Sequence, residues 1–160
     1  MKQLNYQTLQ DLNYDGYLLN EAPERVLQFG EGNFMRAFVD FFIDKMNETA
    51  NFNSKVVLVQ PIPKFTTPDV GDFINEQEGL YTLYLRGSEN GQEVSSKRVI
   101  SCISRCLNAY SDYEAVMECA KNPELRFITC NTTEAGIVYD PSCQFLSLIH
   151  ISEPTRLGMI

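Results

Sequence analysis

The sequence contains no apolar run approaching the ~20 residues needed to cross a bilayer. Its start, Met1-Lys2-Gln3-Leu4-Asn5-Tyr6, lacks the apolar stretch of a secretory signal. Basic residues are scarce: 13 Lys and Arg stand against 21 Asp and Glu, for a net charge of −8. A field of that sign repels phosphate backbones and acidic lipids, so neither nucleic acid nor a membrane surface is an expected partner. Metal-ligand spacing is also missing. The five cysteines (Cys102, Cys106, Cys119, Cys130, Cys143) are odd in number, and no second Cys or His pair accompanies Cys102 and Cys106. Reduced, mostly buried thiols in a cytoplasmic protein are the expectation. Repeats and low-complexity tracts are absent. What remains, 44% hydrophobic and 21% charged residues, is the mix of a globular domain. A chain of this length buries roughly 70% of the surface its unfolded form exposes.

Residues 1–24 are polar and interrupted by Asp15-Gly16 and Pro23, which predicts an arm with little regular structure. Arg25-Val26-Leu27-Gln28-Phe29 is a short, mainly apolar run ended by Gly30-Glu31-Gly32, as a buried strand stopping at a tight turn would be. From Asn33, a plausible N-cap, the period changes. Phe34, Phe38, Phe41, Phe42 and Met46 recur mostly three or four apart, the expected apolar face of a helix to about Asn47. Lys55 to Gln60 is a second apolar strand, stopped by Pro61 and Pro63. Strand, glycine turn, helix and strand make the opening unit of an α/β, Rossmann-like, doubly wound and mostly parallel sheet. Leu80 to Arg86 and Glu93 to Ser101 flank Asn90-Gly91 and predict an antiparallel hairpin excursion. Ser111 and Glu114 suggest a capping box opening a helix that Asn122-Pro123 ends. Arg126 to Cys130 is a further short strand. Leu146 to Ile160 departs from this logic and reads as a translated sequencing-adapter run. Native sequence is therefore expected to stop near Phe145, and His150, the sole histidine, carries no role. The expected organisation is an arm (1–24), an incomplete dinucleotide-binding domain (25–145) and a non-native tail (146–160).

The chemistry-bearing residues cluster after strands. In Gly30-Glu31-Gly32-Asn33-Phe34-Met35, the first glycine permits the turn and the second lets a pyrophosphate approach the backbone. Met35 replaces the third glycine of the usual dinucleotide motif. Arg36 either faces solvent or reaches a phosphate or acidic substrate. The carboxylate expected on the adenosine ribose is missing where the second strand ends; Gln60 stands there and can bond a hydroxyl, while Lys64 nearby leaves NADP open. Asn131, Thr132, Thr133 and Glu134 follow a strand and suit a nicotinamide ribose, a carboxamide or a substrate hydroxyl. No His or Lys forms a proton-transfer pair with Glu134. A strand followed by two such glycines also serves S-adenosylmethionine in methyltransferases. There an acid normally stands two residues before the first glycine, a position held here by Gln28. A non-catalytic nucleotide-sensing domain is the other competing class.

The stretch Val26-Leu27-Gln28-Phe29-Gly30-Glu31-Gly32-Asn33-Phe34-Met35-Arg36-Ala37-Phe38-Val39-Asp40 resembles the amino-terminal signature of the mannitol dehydrogenase family, closest to its tagaturonate reductase branch. Glu78-Gly79-Leu80-Tyr81-Thr82 and Asn131-Thr132-Thr133-Glu134-Ala135-Gly136-Ile137 are similar to the same branch. The resemblance implies an NAD-binding Rossmann domain with the turn at Gly30 to Arg36 on the pyrophosphate and Glu134 near the nicotinamide, Gln28 and Phe29 also counting among the cofactor-binding residues. It implies a small sugar-acid substrate, with a hexuronate ketone and its alcohol (tagaturonate and altronate) interconverted. It also implies a second, largely helical carboxy-terminal domain bearing a catalytic Lys with supporting Asn and His, none of which has a matching position here. Fructuronate and polyol dehydrogenases are the near competitors. The 160 residues alone are then expected to show no turnover and poor solubility.

Overall fold

A computed structural model describes residues 3–62 and 68–132. In chain order its elements begin with α1 (Tyr6–Asp11), β1 (Glu24–Phe29), α2 (Asn33–Ala37), α3 (Val39–Ala50) and β2 (Lys55–Gln60). They continue with α4 (Val70–Glu76), β3 (Tyr81–Glu89), β4 (Gln92–Ile100), β5 (Ile103–Asn108), α5 (Tyr113–Cys119) and β6 (Phe127–Cys130). Four strands form one parallel sheet in the order β5-β2-β1-β6. That order, with the first strand flanked by its successors on both sides, is the opening half of the expected doubly wound sheet.

The two central strands are apolar in succession because both of their faces are covered. Val26, Val56, Leu58 and Ile103 pack with Ile43 of α3 and Ile74 of α4. Leu27, Val57, Val59 and Leu107 pack on the other face with Val116 and Cys119 of α5. Each such aliphatic side chain contributes about 1.5–3 kcal/mol by leaving water. The expected hairpin is present as a separate antiparallel pair, β3 with β4, turning through Asn90 and Gly91 at φ 54° and 78°. Positive φ at both positions is what a two-residue hairpin turn of the right twist needs.

Several expectations are corrected. The amino-terminal arm contains α1, capped by the Asn5 side chain accepting from the Thr8 amide (2.7 Å), and Leu9 packs on Leu80 and Val99. Helix α4, with Asp69 and Asp72 in a reciprocal capping box, and strand β5 were not anticipated. Asp112 and not Ser111 stands at the start of α5. Its carboxylate accepts from the Asn108 amide (2.8 Å) instead of capping the helix. Gly32, not Asn33, is the N-cap of α2, and the single expected helix is broken at Phe38 (φ −116°, ψ −69°).

The largest correction concerns which side of that helix is inside. Of the expected apolar face, Phe41 packs against the core, but Phe34, Phe38, Phe42 and Met46 are 61%, 52%, 49% and 39% exposed. The buried positions of α3 are Asp40, Ile43, Asp44 and Asn47. Residues two apart on a helix point about 200° away from each other. Asp40 and Phe42, like Asp44 and Met46, therefore take opposite faces. The polar face wins the interior because each member finds a partner there. Asp44 Oδ1 accepts from the Ser101 amide (2.9 Å) and Oγ (3.2 Å), and its Oδ2 accepts from Arg98 Nε (2.8 Å). The Asn47 amide pairs both ways with the Ser54 backbone, each bond 2.9 Å. Breaking a buried ion pair strands one charge and typically costs about 3–5 kcal/mol. We therefore expect Asp44→Ala to lose about that much in urea unfolding, and Phe42→Ala to stay within about 1 kcal/mol of wild type. The reverse ranking would mean that α3 is turned the other way.

Candidate functional site

Strand β1 delivers the chain into a turn whose two glycines are required for different reasons. The Gly30 amide donates to the Val59 carbonyl (2.9 Å), fastening the turn to the end of β2. Its φ is +113°, and a side chain there would meet Asn131 Oδ1 at 2.8 Å. Gly30 is thus held by both backbone conformation and space. Gly32 has an ordinary φ of −65°, is exposed, and among the described residues has nothing within 4 Å of where a Cβ would stand. It is the N-cap of α2, a position that glycine suits. Lacking a side chain, Gly32 gives the first amides of α2 no side-chain cap.

The residues after the turn divide between inside and outside. Met35, at the place of the third glycine, is 2% exposed and fills the interior, while Phe34 stands out. Arg36 lies over the Tyr81 ring, 5.6 Å from its centroid, and donates to Asn33 Oδ1 (2.6 Å). The Tyr81 hydroxyl donates to the Arg36 carbonyl (2.7 Å). Arg36 is therefore held at the turn and not spread over a solvated face. Its Nε is buried without a partner among the described residues. Between the glycines, burial pushes the half-buried Glu31 carboxyl up. Its own backbone amide pulls it back, and the nearby charge of Asp69 adds to the rise.

Beneath the turn lies a polar pocket that sequence reasoning missed. Gln28 is fully buried, and its amide donates to the Gly30 carbonyl (3.2 Å) and to Asp40 Oδ2 (3.3 Å). Gln28 Oε1, Asp40 Oδ1 and Thr129 Oγ1 are buried with no partner among the described residues, and Thr129 pairs with Gln28 across β6 and β1. Burial drives the Asp40 carboxyl up to about 7, against the opposing pull of the Gln28 hydrogen bond and the Arg36 charge. Gln28 was expected to touch the cofactor; the structure makes it a brace under the turn. Phe29, half-buried, joins the apolar cluster on the α5 side.

Other expected site residues are placed unevenly. Gln60 is 6% exposed, accepts from Asn108 Nδ2 (3.4 Å) and sits under Gly71, where a Cβ would come within 3.3 Å of its Oε1. The helix α4 thus covers the residue assigned to the ribose, because α4 follows β2 directly in space. Asn131 lies against Gly30, so the ends of β1 and β6 do converge. Thr132 Oγ donates to Cys130 Sγ (3.5 Å). Lys64, Thr133, Glu134, Cys143 and His150 lie outside the described residues. Asp40, Tyr81 and Asp69 were not singled out in the sequence. The recurrence of Asp40, Asp44 and Asn47 at helical spacing was the available signal for the first. A concavity of about 790 Å³ beside β5, lined by Asn75, Arg105 and Tyr110 to Ala115 among others, includes none of the turn residues.

Comparison with known proteins fits this geometry. A family model described as the mannitol dehydrogenase Rossmann domain matches residues 24–158. The altronate oxidoreductase of Phocaeicola vulgatus is 46% identical over 149 residues, which cover 93% of this chain and 30% of that protein. The mannitol 2-dehydrogenase of Pseudomonas fluorescens, solved as a ternary complex with NAD and D-mannitol, is 27% identical with a TM-score of 0.69; the match covers 88% of this chain and 29% of that one. A D-sorbitol dehydrogenase in substrate-free form shares the fold at a TM-score of 0.71 and 23% identity, with the same coverage. The chain thus spans under a third of the length of the relatives it matches.

The buried carboxyl makes a testable demand. With its folded value raised to about 7, Asp40 keeps its proton where the unfolded chain has already lost it. Its contribution to stability is therefore best below about pH 4 and declines as pH rises to about 7. The stability advantage of Asp40→Asn over wild type should grow across that window to at most about 4 kcal/mol, then level off. Urea unfolding at stepped pH measures it. A difference independent of pH would show that the carboxyl titrates alike in the folded and unfolded chains, and so is not raised by burial.

Proposed function

The chain belongs to the mannitol dehydrogenase family, and from that premise we propose that it is the dinucleotide-binding part of an NAD-dependent oxidoreductase interconverting tagaturonate and altronate. The observation that carries the proposal is the Gly30 to Gly32 turn at the end of β1, where no described residue crowds Gly32 and where doubly wound folds generally take a diphosphate. The free amides at the start of α2 and the Arg36 guanidinium offer donors of the right sign. The arrangement fits a dinucleotide better than S-adenosylmethionine, because the residue two before Gly30 is the amide Gln28, buried and bonded inward. The name shared by relatives near 46% identity supports a hexuronate over a polyol.

When bound, NAD supplies the two-electron acceptor for an alcohol carbon, and its reduced form the donor for the ketone. The chain's own residues orient it. Gly30 to Phe34 and Arg36 hold the diphosphate, while Gln28 keeps the Gly30 carbonyl turned inward. Asn131 and Thr132, which follow β6, are assigned to the nicotinamide ribose and carboxamide, and Glu134 is assigned to the same group from the sequence alone. Gln60, covered by α4, supports the end of β2 and does not itself meet the ribose. The general acid or base, a Lys with supporting Asn and His, comes from the region that the relatives carry beyond the matched part. No helix among the described residues is long and apolar enough to cross a membrane. A cytoplasmic setting is part of this proposal; no disulfide joins Cys102, Cys106, Cys119 or Cys130 among the described residues.

Gly32→Leu tests the assignment with little risk to the fold, since backbone and space both admit a side chain there. We expect an unchanged urea midpoint and NADH binding weakened on the order of tenfold or more, about 1.4 kcal/mol by titration calorimetry. Undiminished NADH binding by the variant, or tight binding of S-adenosylmethionine alone, would remove the dehydrogenase reading.

A further inference from the structure

Beneath the glycine turn, two fully buried side chains share one hydrogen bond and keep one unsatisfied oxygen each. The Gln28 amide donates to Asp40 Oδ2 (3.3 Å) and to the Gly30 carbonyl (3.2 Å), which uses both of its N–H bonds. The bond to Gly30 fixes which way the amide lies, since turning it over would set Oε1 against the Gly30 oxygen. Gln28 Oε1 and Asp40 Oδ1 are then buried without a partner among the described residues. With the carboxyl ionised, both are acceptors. The nearby donors do not serve them, because Thr129 Oγ1 and Arg36 Nε are themselves without a partner among the described residues. A single proton on Asp40 Oδ1 satisfies both oxygens. It donates to Oε1 while Oδ2 keeps the Gln28 N–H, the side-by-side pairing of a carboxylic acid with a primary amide.

We propose that Asp40 is a positioning residue for the cofactor turn: carried as the neutral acid, it closes a two-bond ring with the Gln28 amide, and the ring holds the Gly30 carbonyl in place. The inference rests on the preceding assignment of this turn to a dinucleotide. The surroundings favour the neutral acid. Asp40 faces Arg36 of α2, Asp44 one turn along α3, Tyr81 of β3, and Cys102, whose thiol donates to the Asp40 carbonyl (3.3 Å). Of the charged groups, Arg36 favours ionisation and Asp44 opposes it. Tyr81 and Cys102 are both pushed up by burial and stay uncharged. Desolvation outweighs Arg36 and drives the carboxyl up to about 7. Ionisation above that point removes the bond between Oδ1 and Oε1 and sets two acceptors against each other. The amide then loses one of its two bonds to Asp40, and the Gly30 carbonyl is held less firmly. A ligand that needs the turn in order binds better to the neutral form. By linkage it also tightens the hold of Asp40 on its proton by the same factor.

NADH titration of the 160-residue chain from about pH 6 to about pH 8 tests the coupling. Affinity should fall about fivefold to tenfold as pH rises through about 7. Asp40→Asn pairs with Gln28 at every pH, its Oδ1 accepting and its Nδ2 donating, so its affinity should not depend on pH across this window. Asp40→Leu, uncharged and unable to pair, should bind about tenfold more weakly than Asp40→Asn at the acid end. That difference separates loss of the ring from simple repulsion between a carboxylate and a diphosphate. A merely structural role would move the unfolding midpoints of the variants and leave the wild-type profile parallel to that of Asp40→Asn. Infrared difference spectra of wild type against Asp40→Asn, taken without NADH at about pH 6, read the proton itself as the carbonyl stretch of an un-ionised carboxyl. Absence of that band overturns the proposal, and so does equal binding by the Asn and Leu variants. NADH bound with a flat wild-type profile refutes the positioning role and leaves the cofactor assignment standing. No NADH bound at any pH, with the band present, refutes the cofactor assignment and the positioning role together.

Discussion

The carboxylate of Asp44, buried between Arg98 and Ser101, fixes the orientation of α3 and through it most of what matters on this molecule. A helix with phenylalanines at four-residue spacing would bury them if hydrophobic burial alone decided. It does not do so here, because one turn away in each direction Asp40 and Asn47 are also committed, to Gln28 and to the Ser54 backbone. Leaving one of these groups unpaired inside costs about as much as burying one more phenylalanine returns. Several such groups on one face outvote the rings on the other. The anchoring is polar, hence directional, and it sets the rotation of the helix more sharply than a greasy contact would.

That rotation reaches the cofactor turn. Asp40 sits at a height on α3 where it meets Gln28, and Gln28 in turn bonds the Gly30 carbonyl. The turn is thus held from below by side chains, from the side by the Val59 carbonyl and from above by Asn131. Among the described residues, nothing crowds the position of a Gly32 side chain. A turn braced on several sides enters any binding event already ordered, so that order need not be created.

How much of this the residues announced depends on whether the cause is local. The glycine turn, the Asn90-Gly91 hairpin and the apolar runs of β1 and β2 carry their own explanation in neighbouring residues, and these were legible. Periodicity likewise located α2 and α3 but could not say which side is inside: Phe34, Phe38, Phe42 repeat at the same spacing as Asp40 and Asp44. The tie-breaker, Arg98, is 54 residues away and on the other half of a hairpin. The surroundings of Gln60 likewise depend on residues distant in sequence. Its position at a strand end was read correctly, yet the cover over it comes from α4, whose Gly71 is small enough to press against its amide. Gln28 looked like a ligand residue because it precedes the glycines. Strand alternation, which puts it on the α3 face with Val26, was the local clue to its inward direction.

The same logic separates two kinds of exposed apolar surface on this chain. Phe127 and Ile128 are exposed on β6, the outer strand of a sheet whose order is that of half a doubly wound fold. Exposure there follows from β6 being an edge, and any further strand would relieve it. The rings on α2 and α3 have no such excuse, because their helix lies on a sheet that could have received them. They face outward only because polar contacts hold the opposite side in.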